Sequence, residues 1–324
     1  MRPLEKTVTV RDRTFLLRVE TSPTSSDYAM YEDLREEVWG FPDDHMSSVR
    51  NMMCENVFHE GGSLFIGAFS EADEGGFRPE AKSLAGFVYG FVGVMDKSVG
   101  FRDPKNLRFY SQYAGVRKAF ESYGLGILLK AYQREMVLDL LGVSTIICTY
   151  DPLTGVNANR NVHHFGMDVL EYRVATYGEY GGLLNRADVP TDRFFMSWDL
   201  ERTGGRPAYD LDAALAAPPP IRTELRRVAG KAMDLELEVV AGTDAAVEAD
   251  PLLVRIPRDF YLMLQETDIA DNDVRKIPVD WRMATRLVFL ALFGRGYKVI
   301  DFLKADDRLA ASHYVLTRAV PVAR

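Results

Sequence analysis

Apolar residues recur along the chain with two spacings, and their alternation outlines a mixed α/β protein. Thr14-Phe15-Leu16-Leu17-Arg18-Val19 reads as a strand. From Asp27 to Trp39, Tyr31, Leu34 and Val38 fall at helical spacing; Ser26 or Asp27 is placed to cap the start and Gly40 to end the helix. A second helix is predicted from Met46 to Phe58. Strands are predicted over Leu64–Phe69, Leu84–Val94 and Leu107–Val116. Gly124 to Leu141 carries Leu125, Leu128, Leu129, Tyr132, Met136 and Leu140 on one helical face and stops at Gly142. Val143 to Tyr150 is almost continuously apolar, as a strand covered on both faces would be. A short helix over Asn157–Phe165 and strands over Asp168–Thr176 and Arg193–Leu200 complete this part.

Strands in direct succession favour antiparallel hairpins, whereas the strand–helix–strand step across 107–150 favours a parallel pair. The expected fold class is therefore α/β (mixed α+β), with a mixed central sheet flanked by helices. Residues 202–221 change character, with Gly204-Gly205, an Ala-rich run and Pro218-Pro219-Pro220, and read as a linker. Beyond them the pattern predicts strands at Leu252–Ile256, Lys298–Leu303 and His313–Thr317, and helices at Arg258–Thr267 and Asp280–Phe293. The expected domains are residues 1–201, a linker over 202–221, and a smaller α/β domain over 222–324. In one reading the smaller domain is a degenerate copy of the first, because the helix–Gly–strand order of 281–303 echoes 124–150.

The length of 324 residues and 47% hydrophobic content are ample for a large core. A formal net charge of −8 argues against nucleic acid or an anionic membrane surface as partner, since both select for basic excess. Two cysteines, Cys54 and Cys148, suit a reducing compartment, and the N-terminus lacks the apolar core of a signal peptide, so a cytoplasmic protein is expected. Cys148, in an apolar strand, is expected to behave as a small hydrophobe and not as a nucleophile. No metal is expected: His163 and His164 are adjacent, not three or four apart, and His45, His59 and His313 are scattered.

Chemistry gathers where the Leu107–Val116 strand gives way to the long helix. Gly124 and Gly126 open that helix, whose first amides lack internal partners and, with the helix dipole, favour an anion such as a pyrophosphate. Tight packing at a helix start is the plain alternative. A nicotinamide-dependent oxidoreductase is another, with Asp151 placed near a ribose, although the third glycine of a dinucleotide fingerprint is missing.

Val116 followed by Glu121-Ser122-Tyr123-Gly124-Leu125-Gly126 resembles motif A of the GNAT acyltransferase superfamily, Gln/Arg-x-x-Gly-x-Gly/Ala, with Glu121 standing where Gln or Arg is usual. Asn157-Ala158 and Phe165-Gly166-Met167 resemble the superfamily's next motif. Thr149-Tyr150-Asp151-Pro152-Leu153, Asn157-Ala158 and Asn161 are similar to the signature of a branch with a C-terminal extension. The resemblance implies acetyl-CoA or another acyl-CoA as cofactor, with strands parted to admit it. It implies backbone groups of Gly115 and Val116 against the pantetheine and acyl carbonyl. It implies amides of Ser122, Tyr123, Gly124, Leu125, Gly126 and Ile127 on the pyrophosphate, with Asn157 and Asn161 reaching the pantetheine or thioester. The implied reaction is direct transfer of an acetyl or longer acyl group to the amine of a small molecule such as an amino acid.

In the superfamily a tyrosine on the short helix often protonates the thiolate; its position here falls on Val162. Tyr150, Asp151 and His163 are the nearby candidates for proton transfer. Each has a structural alternative: Tyr150 as core, Asp151 as a turn former before Pro152, His163 as a packed residue, and likewise Asn157 as a helix cap. Arg160, Arg173 and Arg186 are candidate grips for a carboxylate, or solvated surface. The missing tyrosine also motivates a non-catalytic acyl-CoA sensor. The C-terminal region is expected either to close the acceptor pocket or to build a homodimer.

Overall fold

A computed structural model describes residues 3–40, 48–59, 61–179, 181–203, 207–306 and 309–318. His45, the predicted helix start at Met46 and Gly204-Gly205 lie outside the described residues. By internal contacts the chain forms two compact units, Met1–Cys148 with Asp199–Glu201, and Thr149–Trp198 with Arg202–Arg324.

The first unit is built on strands β1 (Glu5–Val10), β2 (Arg13–Val19), β3 (Ser63–Ser70), β4 (Leu84–Val94), β5 (Leu107–Val116) and the first part, to Cys148, of β6 (Thr145–Tyr150), hydrogen-bonded in that order. β1 to β5 are joined antiparallel and β5 to β6 parallel, as the element order requires. β1 escaped the sequence reading. It pairs with β2 through a tight turn in which Arg11 takes φ 57. Helices α1 (Ala29–Trp39) and α2 (Val49–Met53) cover one face, where Leu16, Tyr31, Leu34, Phe65, Phe87 and Tyr89 share a core. α3 (Leu125–Leu141) is associated with the opposite cluster, in which Phe15, Ala85, Phe120 and Leu125 meet. Phe15 and Leu16, one residue apart on β2, therefore serve opposite faces, as the two-residue period of a strand dictates.

In the second unit, α4 (Gly155–Ala158), a π-helical segment Asn159–His164, and the antiparallel strands β7 (Asp168–Arg173) and β8 (Arg193–Asp199) precede the C-terminal elements. The 202–221 segment contains a capped helix, α5 (Leu211–Ala216), whose start is held by the Asp210 carboxylate accepting from the Ala213 amide at 3.0 Å. The hairpin β9 (Ile221–Ala229) and β10 (Asp234–Thr243) had no sequence assignment. β11 (Leu252–Arg255), β12 (Lys298–Leu303) and β13 (His313–Thr317) form a sheet in the order β11-β13-β12, with α6 (Phe260–Glu266), α7 (Asn272–Arg275) and α8 (Ile277–Gly294) between β11 and β12 in the chain. Phe194 of β8 packs on Phe289 and Phe293 of α8 and Tyr314 of β13, so residues 149–198 share a core with the C-terminal region. Among the described residues no helix is long and apolar enough to cross a membrane.

Candidate functional site

β5 pairs with β6 at Phe109↔Ile146 and Tyr110↔Ile147, while its pairing with β4 runs on to Val116. In a parallel pair the strands run the same way. They thus part toward their carboxyl ends, the β5–β6 register among the described residues ending at Tyr110↔Ile147. A bulge falls at the parting point: Tyr113 faces Tyr89 and Ser111 faces Gly90, so Gln112 is the extra residue. Bulges re-aim the main chain and are frequent beside binding sites. The bulge is backed by a buried polar cluster, in which Lys130 Nζ donates to Ser111 Oγ (2.5 Å) and Ser111 Oγ to Gln133 Oε1 (2.9 Å). Further along, Gly115 is packed under Trp39; a Cβ there would lie 2.9 Å from the indole ring.

After β5 the Arg117 amide donates to Ala85 O (2.8 Å), and the chain makes a 3-10 turn over Lys118–Tyr123. Phe120 and Tyr123 anchor this turn edge-on against Phe15, with ring centroids 5.9 and 5.7 Å away. Gly124 then takes φ 67, a left-handed conformation that favours glycine, and α3 begins. Ile127 and Leu128 amides both donate to Gly124 O, at 3.0 and 3.3 Å, so the amides of Leu125 and Gly126 precede the first rung of α3. No acidic residue occupies the first turn of α3, which leaves the positive end of its dipole uncompensated. Gly124 is exposed, and an added Cβ would meet nothing within 4 Å. Glu121 and Ser122 are also exposed. Of the amides expected to face a pyrophosphate, that of Ile127 is already engaged; those of Leu125 and Gly126 fit the role best.

The remaining candidates lie in the second unit. Tyr150 is buried and its hydroxyl lies 3.0 Å from that of Tyr314, which donates to Pro152 O at 2.8 Å. Asp151 is buried with both oxygens engaged: Oδ1 accepts from the Leu153 amide (2.9 Å), and Oδ2 accepts from Arg282 and, at 3.5 Å, from Arg193. The turn-forming alternative for Asp151 is thus visible, with an ion pair added. Asn157 and Asn161 are brought together by Arg160, whose guanidinium donates to Asn157 Oδ1 (2.8 Å) and Asn161 Oδ1 (3.2 Å). Asn161 is buried, as is Val162 at the tyrosine position. Arg186 is buried rather than solvated, donating to Asp188 (2.6 Å), to Thr267 (2.9 Å) and to Arg275 O. Arg173 pairs with Glu171 at 2.9 Å.

His163 has the geometry of an oriented base. Its Nδ1 lies 2.9 Å from Asp301 Oδ1, and Asp301 is buried on β12 while the His163 side chain is 39% exposed. Asp301 also accepts from the Phe302 amide (2.8 Å) and from the Tyr209 hydroxyl (3.1 Å). A carboxylate can only accept, so Nδ1 is the donor in this contact. Sequence reasoning missed Asp301 and Tyr209. The available signal was a lone carboxylate in the apolar run Val299-Ile300-Asp301-Phe302-Leu303, where burial demands a partner. Among the described residues no His, Cys, Asp or Glu side chains gather as a metal-ion set.

No family model matches the chain, and no curated protein matches it. Solved structures do. A complex of Arabidopsis thaliana NAA60 with a bisubstrate analogue is 12% identical, covering 56% of this chain and 98% of that one with a TM-score of 0.41. The ribosomal-protein-S18-alanine N-acetyltransferase from Escherichia coli is 13% identical, covering 60% and 99%, with a TM-score of 0.39. An acetyltransferase of the GNAT family from Streptococcus pneumoniae is 12% identical, covering 56% and 98%, with a TM-score of 0.39.

Proposed function

We propose that the protein is an acyl-CoA-dependent N-acyltransferase acting on the amine of a small molecule such as an amino acid. The observation that carries this reading is the conjunction of a strand edge released at a bulge with a helix start whose first amides precede its ladder. The edge of β5 suits an extended pantetheine, which pairs like a strand, and the amides of Leu125 and Gly126 suit its pyrophosphate. The antiparallel run from β2 to β5 also opposes the dehydrogenase alternative, which requires a doubly wound parallel sheet.

The acyl thioester supplies an activated carbonyl. In direct transfer the amine nitrogen bonds to the thioester carbon, the C–S bond breaks, and one proton leaves the amine while one reaches the thiolate. We assign proton removal from the amine to His163, because the Asp301 carboxylate accepts from its Nδ1 and orients the ring. His163→Gln is expected to lower kcat by about 10²-fold while leaving the KM for acetyl-CoA within about twofold, as a base acting only in the chemical step would. Steady-state turnover of acetyl-CoA with a panel of amino acids, with folding checked by circular dichroism, measures this. An unchanged kcat would remove His163 from the mechanism. The buried Val162 favours a second reading, a non-catalytic acyl-CoA sensor; amine-dependent turnover of any acyl-CoA would reject it.

A further inference from the structure

A cavity of about 470 Å³, lined in part by Pro218 and Pro219, lies in the second unit and is within the size range of small-metabolite sites. Its apolar lining is Ala214 and Leu215 of α5, the two prolines, Ile221 and Leu253. Leu253 and Ala214 also belong to a core cluster with Val315. Its polar lining is Arg222, Arg255 and His313. Arg255 and His313 face each other across the antiparallel pair β11–β13.

These polar residues are incompletely satisfied. Arg255 Nε and His313 Nδ1 are buried and have no hydrogen-bond partner among the described residues. Arg255 is neutralised by an ion pair with Glu238, which does not line the cavity. Arg222 is exposed and has no ion-pair partner among the described residues, so the wall carries one surplus positive charge. Burial, then the neighbouring Arg255 charge, push His313 down to about 4, so its ring is neutral at neutral pH and adds no charge of its own.

We propose that this cavity binds a small monocarboxylate with an apolar body, its carboxylate on Arg222 and Arg255 and its body against α5 and the prolines. The charge fits: one surplus cation, one anion. The lining fits as well, since cationic and apolar side chains border one space of metabolite size. The site involves none of the residues assigned above to acyl-CoA or to proton transfer, and it stands whether or not those assignments do.

Matched probes test it: 4-phenylbutyrate, 4-phenylbutylamine and 4-phenylbutanol titrated calorimetrically into the full-length protein. The acid is expected to bind at least about tenfold more tightly than the amine or the alcohol, the scale of one charge-assisted contact. Arg222→Ala removes an exposed side chain that has no ion-pair partner among the described residues, and is expected to weaken the acid by roughly tenfold. Ala217→Phe fills the cavity and is expected to abolish binding, while Gly124→Glu leaves it unchanged. The proposal is overturned if none of the three probes binds at millimolar concentration. It is equally overturned if the acid binds no better than the alcohol, or if its binding survives both Arg222→Ala and Ala217→Phe.

Discussion

Asp151→Ala is expected to destabilise the second unit by about 3–5 kcal/mol, the range for breaking a buried ion pair from one side. The carboxylate is the direct partner of Arg282, whose side chain is only 1% exposed. Arg282 already carries two nitrogens, Nε and Nη1, with no hydrogen-bond partner among the described residues, so its contact over the Phe260 ring is the remaining support. Arg193 also loses its contact to Asp151 Oδ2, and the Leu153 amide loses the acceptor that closes the Asp-Pro turn. Urea unfolding of the variant measures the loss. Asp151→Ala/Arg282→Met should recover much of it, because removing both charges leaves no buried cation uncompensated. If Asp151 were instead a base with no structural task, the single variant would lose turnover and keep its unfolding midpoint. That result would contradict the geometry.

Gly124→Glu is expected to weaken CoA binding by at least about a hundredfold, or roughly 2.7 kcal/mol, by setting a carboxylate where the pyrophosphate's own charges belong. The left-handed backbone at φ 67 adds strain of roughly 1–2 kcal/mol for any side chain. Gly124→Ala separates the two effects. Its Cβ meets nothing within 4 Å, so it carries the strain but no charge and no clash. CoA affinity near that of the parent in Gly124→Ala, with loss in Gly124→Glu, is the expected pair of results. Equal affinity in both variants would move the pyrophosphate elsewhere.

Much of this site was legible from residues that obey one local rule each. The β4 and β5 strands and the Gly124–Gly142 bounds of α3 follow from apolar period and glycine punctuation, and the parallel step to β6 from the intervening helix. What escaped has physical reasons. β1 alternates Lys6-Thr7-Val8-Thr9-Val10, but its outward face is polar and it borrows stability from β2, so no apolar run announces it. The β9–β10 hairpin is rich in charged residues on its exposed side, including Glu224, Arg226 and Arg227, and shows little apolar patterning. The partners of His163 and Asp151 lie 138 and 131 residues away, a pairing no local pattern encodes. Only their oddity was visible: Asp301 within an apolar strand, and Arg282 beside Trp281 on the buried face of α8. Single charges in apolar elements were the sequence's pointer to long-range pairs.

The most direct measurement is thermal unfolding of the unaltered protein with CoA and, separately, with NAD. If the start of α3 and the edge of β5 receive the cofactor, CoA at about 100 times its dissociation constant raises stability by roughly 2.7 kcal/mol, and NAD at the same concentration does not. No shift with CoA at millimolar concentration, or an equal shift with NAD, would contradict the account.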